Sequence, residues 1–359
     1  MDDLTLLRSI REPEAPTDDA LARGRSALFE RMLDRPAPKR SRRGIRIAGV
    51  SALGAGALVT ALVLTNVVGL AGWRGGAEPA AADVLHSAAI AAIESTDLVV
   101  GPGQYLQVET SAVYSATSSS DSGTASYLFR VDDELYVPAD RNDDWVWVRH
   151  PAKTYQTFGP DSEAAAESVT HIHPGDKDEL LQAPAGAFYG GEAGASYGDL
   201  DSLPRDPVQL LNYIYKVNVG AGNSPDGQAL VFIAERLRTG SVPADLRAAF
   251  YEAAALIPGV TVTEGRATLD GRTGVAIGRD EGSIDRQEII IDPVTGQYIG
   301  ERRVTLTAIN EIPAGTVVSW SAVVTTVADS APSGGTVNGV FDVMGCISDG
   351  KGGAQCPTD

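Results

Sequence analysis

Few side chains in this chain are equipped for chemistry. There are four histidines, His86, His150, His171 and His173, and two cysteines, Cys346 and Cys356. On a strand His171 and His173 would point the same way, a spacing that metal sites use, but no third ligand stands near them. His86 is alone on a helical stretch, which suits a surface or core-edge histidine better than a ligand. Asp140, Asp143 and Asp144 form one acidic group, and Asp176, Asp178 and Glu179 another. Neither has the spacing of a calcium loop, so both read as solvated turn acids. The chain has no H-E-x-x-H and no P-loop, and no G-x-G-x-x-G follows a strand. These absences point away from metal, nucleotide and dinucleotide chemistry, and the expectation is a non-enzymatic protein without a cofactor.

What must position these residues is set by one apolar run. Ile47 to Trp73 carries no ionisable side chain over 27 residues. About 20 apolar residues in a helix cross a hydrocarbon core of about 30 Å, so the run is long enough to span a membrane. Arg35, Lys39, Arg40, Arg42, Arg43 and Arg46 crowd its N-terminal side, whereas Arg74 is the last basic residue after it until Arg130. Positive charge stays in the cytoplasm, so residues 1–46 are expected inside and the rest outside the cell membrane. The division is then a cytoplasmic tail (1–46), a transmembrane helix (47–73), a linker (74–82) and an exported domain (83–359). Ser41 to Arg46 also resembles a twin-arginine export signal, with Ala80 to Ala82 as a cleavage site that would release the domain.

Charge sharpens the same division. The chain holds 29 Lys and Arg against 47 Asp and Glu; 12 and 8 of them precede residue 75, leaving 17 and 39 beyond it. So acidic a domain repels nucleic acid and is well solvated. In the tail, Leu21, Leu28 and Met32, with Ala22, Phe29 and Leu33, recur at helical intervals. Two short amphipathic helices cannot bury such a stripe alone. It is expected to dock on a cytoplasmic partner, on the membrane surface, or on a second copy.

Beyond the linker, Ala80 to Thr96 reads as a helix with Val84, Leu85, Ala88, Ala92 and Ile93 on its buried face. From Gly103 the period changes to two, broken by Ser, Gly and Asp turns, as in antiparallel strands. Trp145 and Trp147 share one strand face, set to line a groove or to pack under a helix. Residues 159–206 are the least regular. Helical spacing returns at Pro207–Asn218, Asp226–Thr239 and Pro243–Ile257, the last with Ser241-Val242-Pro243 as its cap and early proline. Strands follow to Asp329, with turns at Asp270-Gly271 and Pro293 to Gly296. The fold class is α+β, a large antiparallel sheet covered by helices. Cys346 and Cys356 flank a Gly-rich turn on the exported side, where thiols oxidise, and are expected to form a disulfide.

The stretches ADLRAAFYEAAALIPGVTVTEGRATLDGRTGVAIG and IIIDPVTGQYIGERRV, with the opening DDLTLLRSIRE, resemble an uncharacterised actinobacterial family of single-pass membrane proteins. Its members often stand beside sigma-factor genes. That implies a regulatory setting, with the tail holding a partner such as a sigma factor, and it transfers no catalytic residue. More distantly, the exported part resembles the half-barrel sheets of lipoprotein-carrier (LolA-like) and sigma-E regulator (RseB-like) proteins. This implies an alternative: a module that binds a lipid or lipoprotein on the concave face of its sheet.

Overall fold

Alternating stretches on both sides of the helical segments converge on a single sheet. The computed structural model describes residues 75–120, 123–167, 178–188, 200–334, 336–337, 347–348 and 354–355, all inside the unit Gly56–Asp359. The tail and the apolar run at 47–73 lie outside the described residues. Among the described residues no helix is long and apolar enough to cross a membrane.

The chain enters through α1 (Pro79–Glu94) and lays down β1 (Tyr105–Ser120), β2 (Gly123–Pro138), β3 (Asp144–Arg149) and β4 (Lys153–Gln156). A short α2 (Pro160–Ala166) and β5 (Glu179–Pro184) precede three helices, α3 (Pro207–Val217), α4 (Pro225–Arg238) and α5 (Ala244–Ala255). A meander follows: β6 (Thr261–Leu269), β7 (Arg272–Glu281), β8 (Asp285–Asp292), β9 (Gln297–Thr305) and β10 (Val317–Ala328). With β11 (Thr336–Val337), the order across the 11-stranded sheet is β11-β5-β3-β2-β1-β10-β9-β8-β7-β6, and β4 also pairs with β2. All pairings are antiparallel except β11 with β5. The decisive one joins the first strand to the last of the meander, from Tyr105 opposite Ala328 to Val113 opposite Trp320. It fuses two runs of strands, separated in sequence by the helices, into one surface. Two further short strands, β12 (Ile347–Ser348) and β13 (Ala354–Gln355), pair only with each other.

Both faces of this sheet are apolar, which is why its strands carry more than one row of hydrophobic residues. One face presents Val108, Leu135, Val137, Ile277, Ile289, Ile291 and Val323 to the helices. Helix α5 is central there: Leu246, Phe250 and Tyr251 are fully buried, and buried residues occur all round its circumference. Small residues on α1, Ala81, Ala88 and Ala92, are buried in the same core. The opposite face gathers Val113, Leu128, Ile290, Ile299 and Trp320. The β6–β7 tip rolls over that face. Asp270 lies 3.8 Å from Arg130 on β2, five strands away, where a flat sheet would put them about 24 Å apart. Asp270 and Gly271 have φ of 46° and 79°, the paired positive values of a type I′ hairpin.

The α+β class holds, and each expected helix after the linker appears within two residues of its expected ends. Three details differ. Ile93 is 66% exposed, because the buried stripe of α1 runs through Ala81, Leu85, Ala88 and Ala92 and passes it by. The irregular stretch 159–206 contains α2 and β5; Glu179 is no turn acid but opens β5, its carboxylate 2.8 Å from Arg149. Helix α5 takes its N-cap at Pro243, not at Ser241, and its first N–H is satisfied from far away in the sequence.

Candidate functional site

That distant cap leads to the main cavity. The segment leaving α1 crosses to the start of α5, where both Asp97 carboxylate oxygens accept from the Ala244 N–H, at 3.0 and 2.9 Å. Between this crossing, the α4–α5 turn and the ends of β1, β2, β9 and β10 lies a space of about 400 Å³. Its wall is mixed: Leu106, Val137 and Val323 from the sheet and Leu237 and Val242 from the helical side stand beside polar residues such as Ser95, Thr96, Gln297 and Thr325. At its edge Leu98 is 49% exposed, and Ile90, Ile93 and Val99 continue the exposed apolar residues along α1 and the segment after it. The space lies beside the turn where α4 gives way to α5. Gly240 makes that turn, with φ 65° and a Cβ position 2.7 Å from both Val108 Cγ1 and Thr325 Oγ1, so no larger residue fits between the layers there.

Three arginines line the same space. Arg247 on α5 donates to the Val242 carbonyl at 3.1 Å and to Ser95 Oγ at 2.9 Å, and lies 3.8 Å from Asp97; its buried Nε has no partner. Arg141, exposed in the β2–β3 turn, reaches only the Ser241 carbonyl, at 3.4 Å. Arg272 at the start of β7 donates to the Ile299 carbonyl at 2.7 Å, and burial pushes its pKa down. Asp97 is the one acidic residue of the lining, and no histidine belongs to it.

A second cavity, about 420 Å³, lies between α4 and the sheet and is polar. Glu301 is its buried centre. One carboxylate oxygen accepts from Arg238 at 2.9 Å and from Ser321 at 3.3 Å, the other from Gln287 at 2.9 Å. Burial pushes its pKa up and the Arg238 charge opposes that rise. With every oxygen bonded, Glu301 is placed to hold α4 on the sheet, where removing either partner strands a buried charge.

The residues singled out from the sequence are dispersed. His86 pairs with Glu252 on α5 at 2.7 Å. His150 sits between Asp178 at 2.9 Å and Glu134 at 3.6 Å, and its pKa is raised, first by the Asp178 hydrogen bond. Trp145 is buried in the main core, and Trp147 packs at its margin against Phe188, ring centres 5.4 Å apart. No group of three potential metal ligands forms among the described residues. His171, His173, Asp176, Cys346 and Cys356 lie outside those residues, as do Leu21, Leu28, Phe29, Met32 and Leu33 of the tail. So does Gly194-Ala195-Ser196-Tyr197-Gly198, which has the letters of the G-x-S-x-G nucleophile elbow. Sequence reasoning passed over Arg141, Arg247 and Arg272. The one available signal was Arg247 itself, the one cation of a helix whose other charged residues are Asp245 and Glu252.

No protein-family model matches the chain, and no curated protein matches it. Two solved structures bear a slight likeness. One is a LolA superfamily protein from Nitrosomonas europaea, at 7% identity over 71% of this chain and 94% of that one, with a TM-score of 0.16. The other is a DUF1329 family protein from Desulfovibrio piger, at 10% identity over 70% and 95%, with a TM-score of 0.17. At such scores neither likeness decides fold or function.

Proposed function

We propose that the folded part of this chain is a non-catalytic module that takes the acyl chain of a lipid or lipoprotein into the cavity between its helices and sheet. One observation carries the reading: a space of about 400 Å³, part of its wall formed by Leu106, Val137, Leu237, Val242 and Val323, opens past the exposed Leu98. Its volume falls in the range of roughly 300–1,000 Å³ usual for small-molecule sites. Exposed Leu and Val side chains beside such an opening offer a sliding chain contact before it enters. Hydrolysis of an acyl ester would ask for a nucleophile with a base beside it, and the lining has serines but no histidine. Localisation follows from the flanking charge: the module is held outside the cell membrane by residues 47–73, with the basic tail inside.

The test is photo-crosslinking of the full chain, in a mild maltoside detergent, with a diazirine-bearing hexadecanol. Labelled peptides should fall within 95–106 and 237–247 and be protected by unmodified hexadecanol. Leu98→Asp, at an exposed position, should cut that labelling severalfold without lowering thermal stability. Labelling spread over the surface, or unaffected by Leu98→Asp, overturns the proposal.

A further inference from the structure

The cavity's charge runs against that of the domain around it. Beyond residue 74 acids outnumber bases 39 to 17, yet the cavity lining holds Arg141, Arg247 and Arg272 against Asp97 alone. Asp97 is already committed to the Ala244 N–H. Arg247 touches it only at 3.8 Å and keeps a buried Nε without a partner. Neither Arg141 nor Arg272 is ion-paired among the described residues; each reaches only a backbone carbonyl. Asp270, whose charge acts on Arg272, also lies 3.8 Å from Arg130, and Asp140 accepts from Asn142. By contrast Arg149, Arg238, Arg279, Arg286 and Arg302 all meet carboxylates.

Three guanidinium groups, two of them without an ion pair among the described residues, at a cleft with partly apolar walls, focus positive potential into it. A guanidinium fork matches a carboxylate or phosphate with two parallel hydrogen bonds, which a neutral hydroxyl or ester cannot accept as well. A strongly acidic surface would otherwise repel such a ligand. We infer that the cavity selects amphiphiles with an anionic oxyanion head, carboxylate or phosphate, with Arg141 and Arg272 taking the head and the apolar part of the wall the chain. This rests on the acyl-binding reading above and narrows it, since it disfavours the neutral acylated end of a lipoprotein.

The experiment compares photoreactive palmitic acid with photoreactive hexadecanol on the full chain in the same detergent, in parent protein and in Arg141→Gln/Arg272→Gln. In the parent, palmitic acid should label the cavity peptides at about tenfold lower concentration than the alcohol. The double variant should lose most of that preference while labelling by hexadecanol stays unchanged. Should Arg272→Gln lower thermal stability, Arg141→Gln alone, at an exposed turn position, carries the test and should lose part of it. Competition by unlabelled palmitate or by lysophosphatidic acid then tells which head binds better. Equal labelling by acid and alcohol overturns the inference and leaves the acyl-binding module standing. A preference untouched by the arginine changes also overturns it. If neither probe labels the cavity, the module reading fails and the inference with it.

Discussion

Replacing Asp97 should weaken the fold and sharpen the site at once. Helix α5 begins at a proline whose side chain cannot cap it, and the Ala244 N–H, at a buried residue, depends on the two Asp97 oxygens at 3.0 and 2.9 Å. Loss of an N-cap acceptor costs about 0.5–2 kcal/mol. The Asp97 side chain is 49% exposed, so water screens part of the interaction, and the 3.8 Å approach to Arg247 adds little. Asp97→Ala should therefore destabilise by about 1–1.5 kcal/mol, a fall in Tm of roughly 3–5 °C for a domain of this size. Asp97→Asn keeps an acceptor and should lose about half as much. It also removes the cavity's one acid, so labelling by palmitic acid should strengthen about twofold or more while hexadecanol is unaffected. Differential scanning fluorimetry and the crosslinking titration read the two effects. A Tm unchanged in Asp97→Ala would refute the long-range cap, and weaker palmitate labelling in Asp97→Asn would refute the electrostatic reading of the cavity.

Three other outcomes are expected. Gly296 turns β8 into β9 at φ 68°, and a Cβ there would lie 2.6 Å from the Ala88 carbonyl and 2.7 Å from Ala92 Cα; Gly296→Ala should cost about 3 kcal/mol or more, and a Tm within 2 °C of the parent would exclude that contact. Burial pushes the Asp133 carboxyl up to about 6, against the nearby Arg149 and His150 charges. The folded state then holds that proton more tightly than the unfolded state, so its contribution is present below pH 4 and lost as pH rises through 6. Asp133→Asn should match the parent at pH 4 and exceed it by about 1–2 kcal/mol at pH 7, after discounting for partial exposure; parallel urea midpoints across that range would contradict this. The described hairpin pairs Ile347 with Gln355 and Ser348 with Ala354, the residues just inside Cys346 and Cys356. Thiol labelling of the denatured, unreduced protein should accordingly find no free cysteine, and reduction should leave the Tm of the main domain unchanged.

The local elements were open to reading along the chain, because helix and strand periods are properties of neighbouring residues. Pro207, Pro225 and the short apolar run in EIIID mark α3, α4 and β8 without any knowledge of the rest. The charge step at residue 47 is likewise a property of the linear chain. Where a short segment's partner is remote, that legibility fails. Glu179 looked like a turn acid because six residues of β5 mean nothing until β3 lies beside them. The pairing of β1 with β10 joins positions more than 200 residues apart and leaves no local trace. Ile93 had the right spacing for burial, yet the stripe that packs runs through Ala81, Leu85, Ala88 and Ala92 and leaves it outside. The candidate site is the extreme case. Asp97, Arg141, Arg247 and Arg272 belong to a crossing segment, a turn, a helix and a strand end, and only packing brings their charges to one cavity. Spacing along a chain carries the hydrophobic period that makes an element; tertiary structure alone decides which charges remain unanswered once the elements meet.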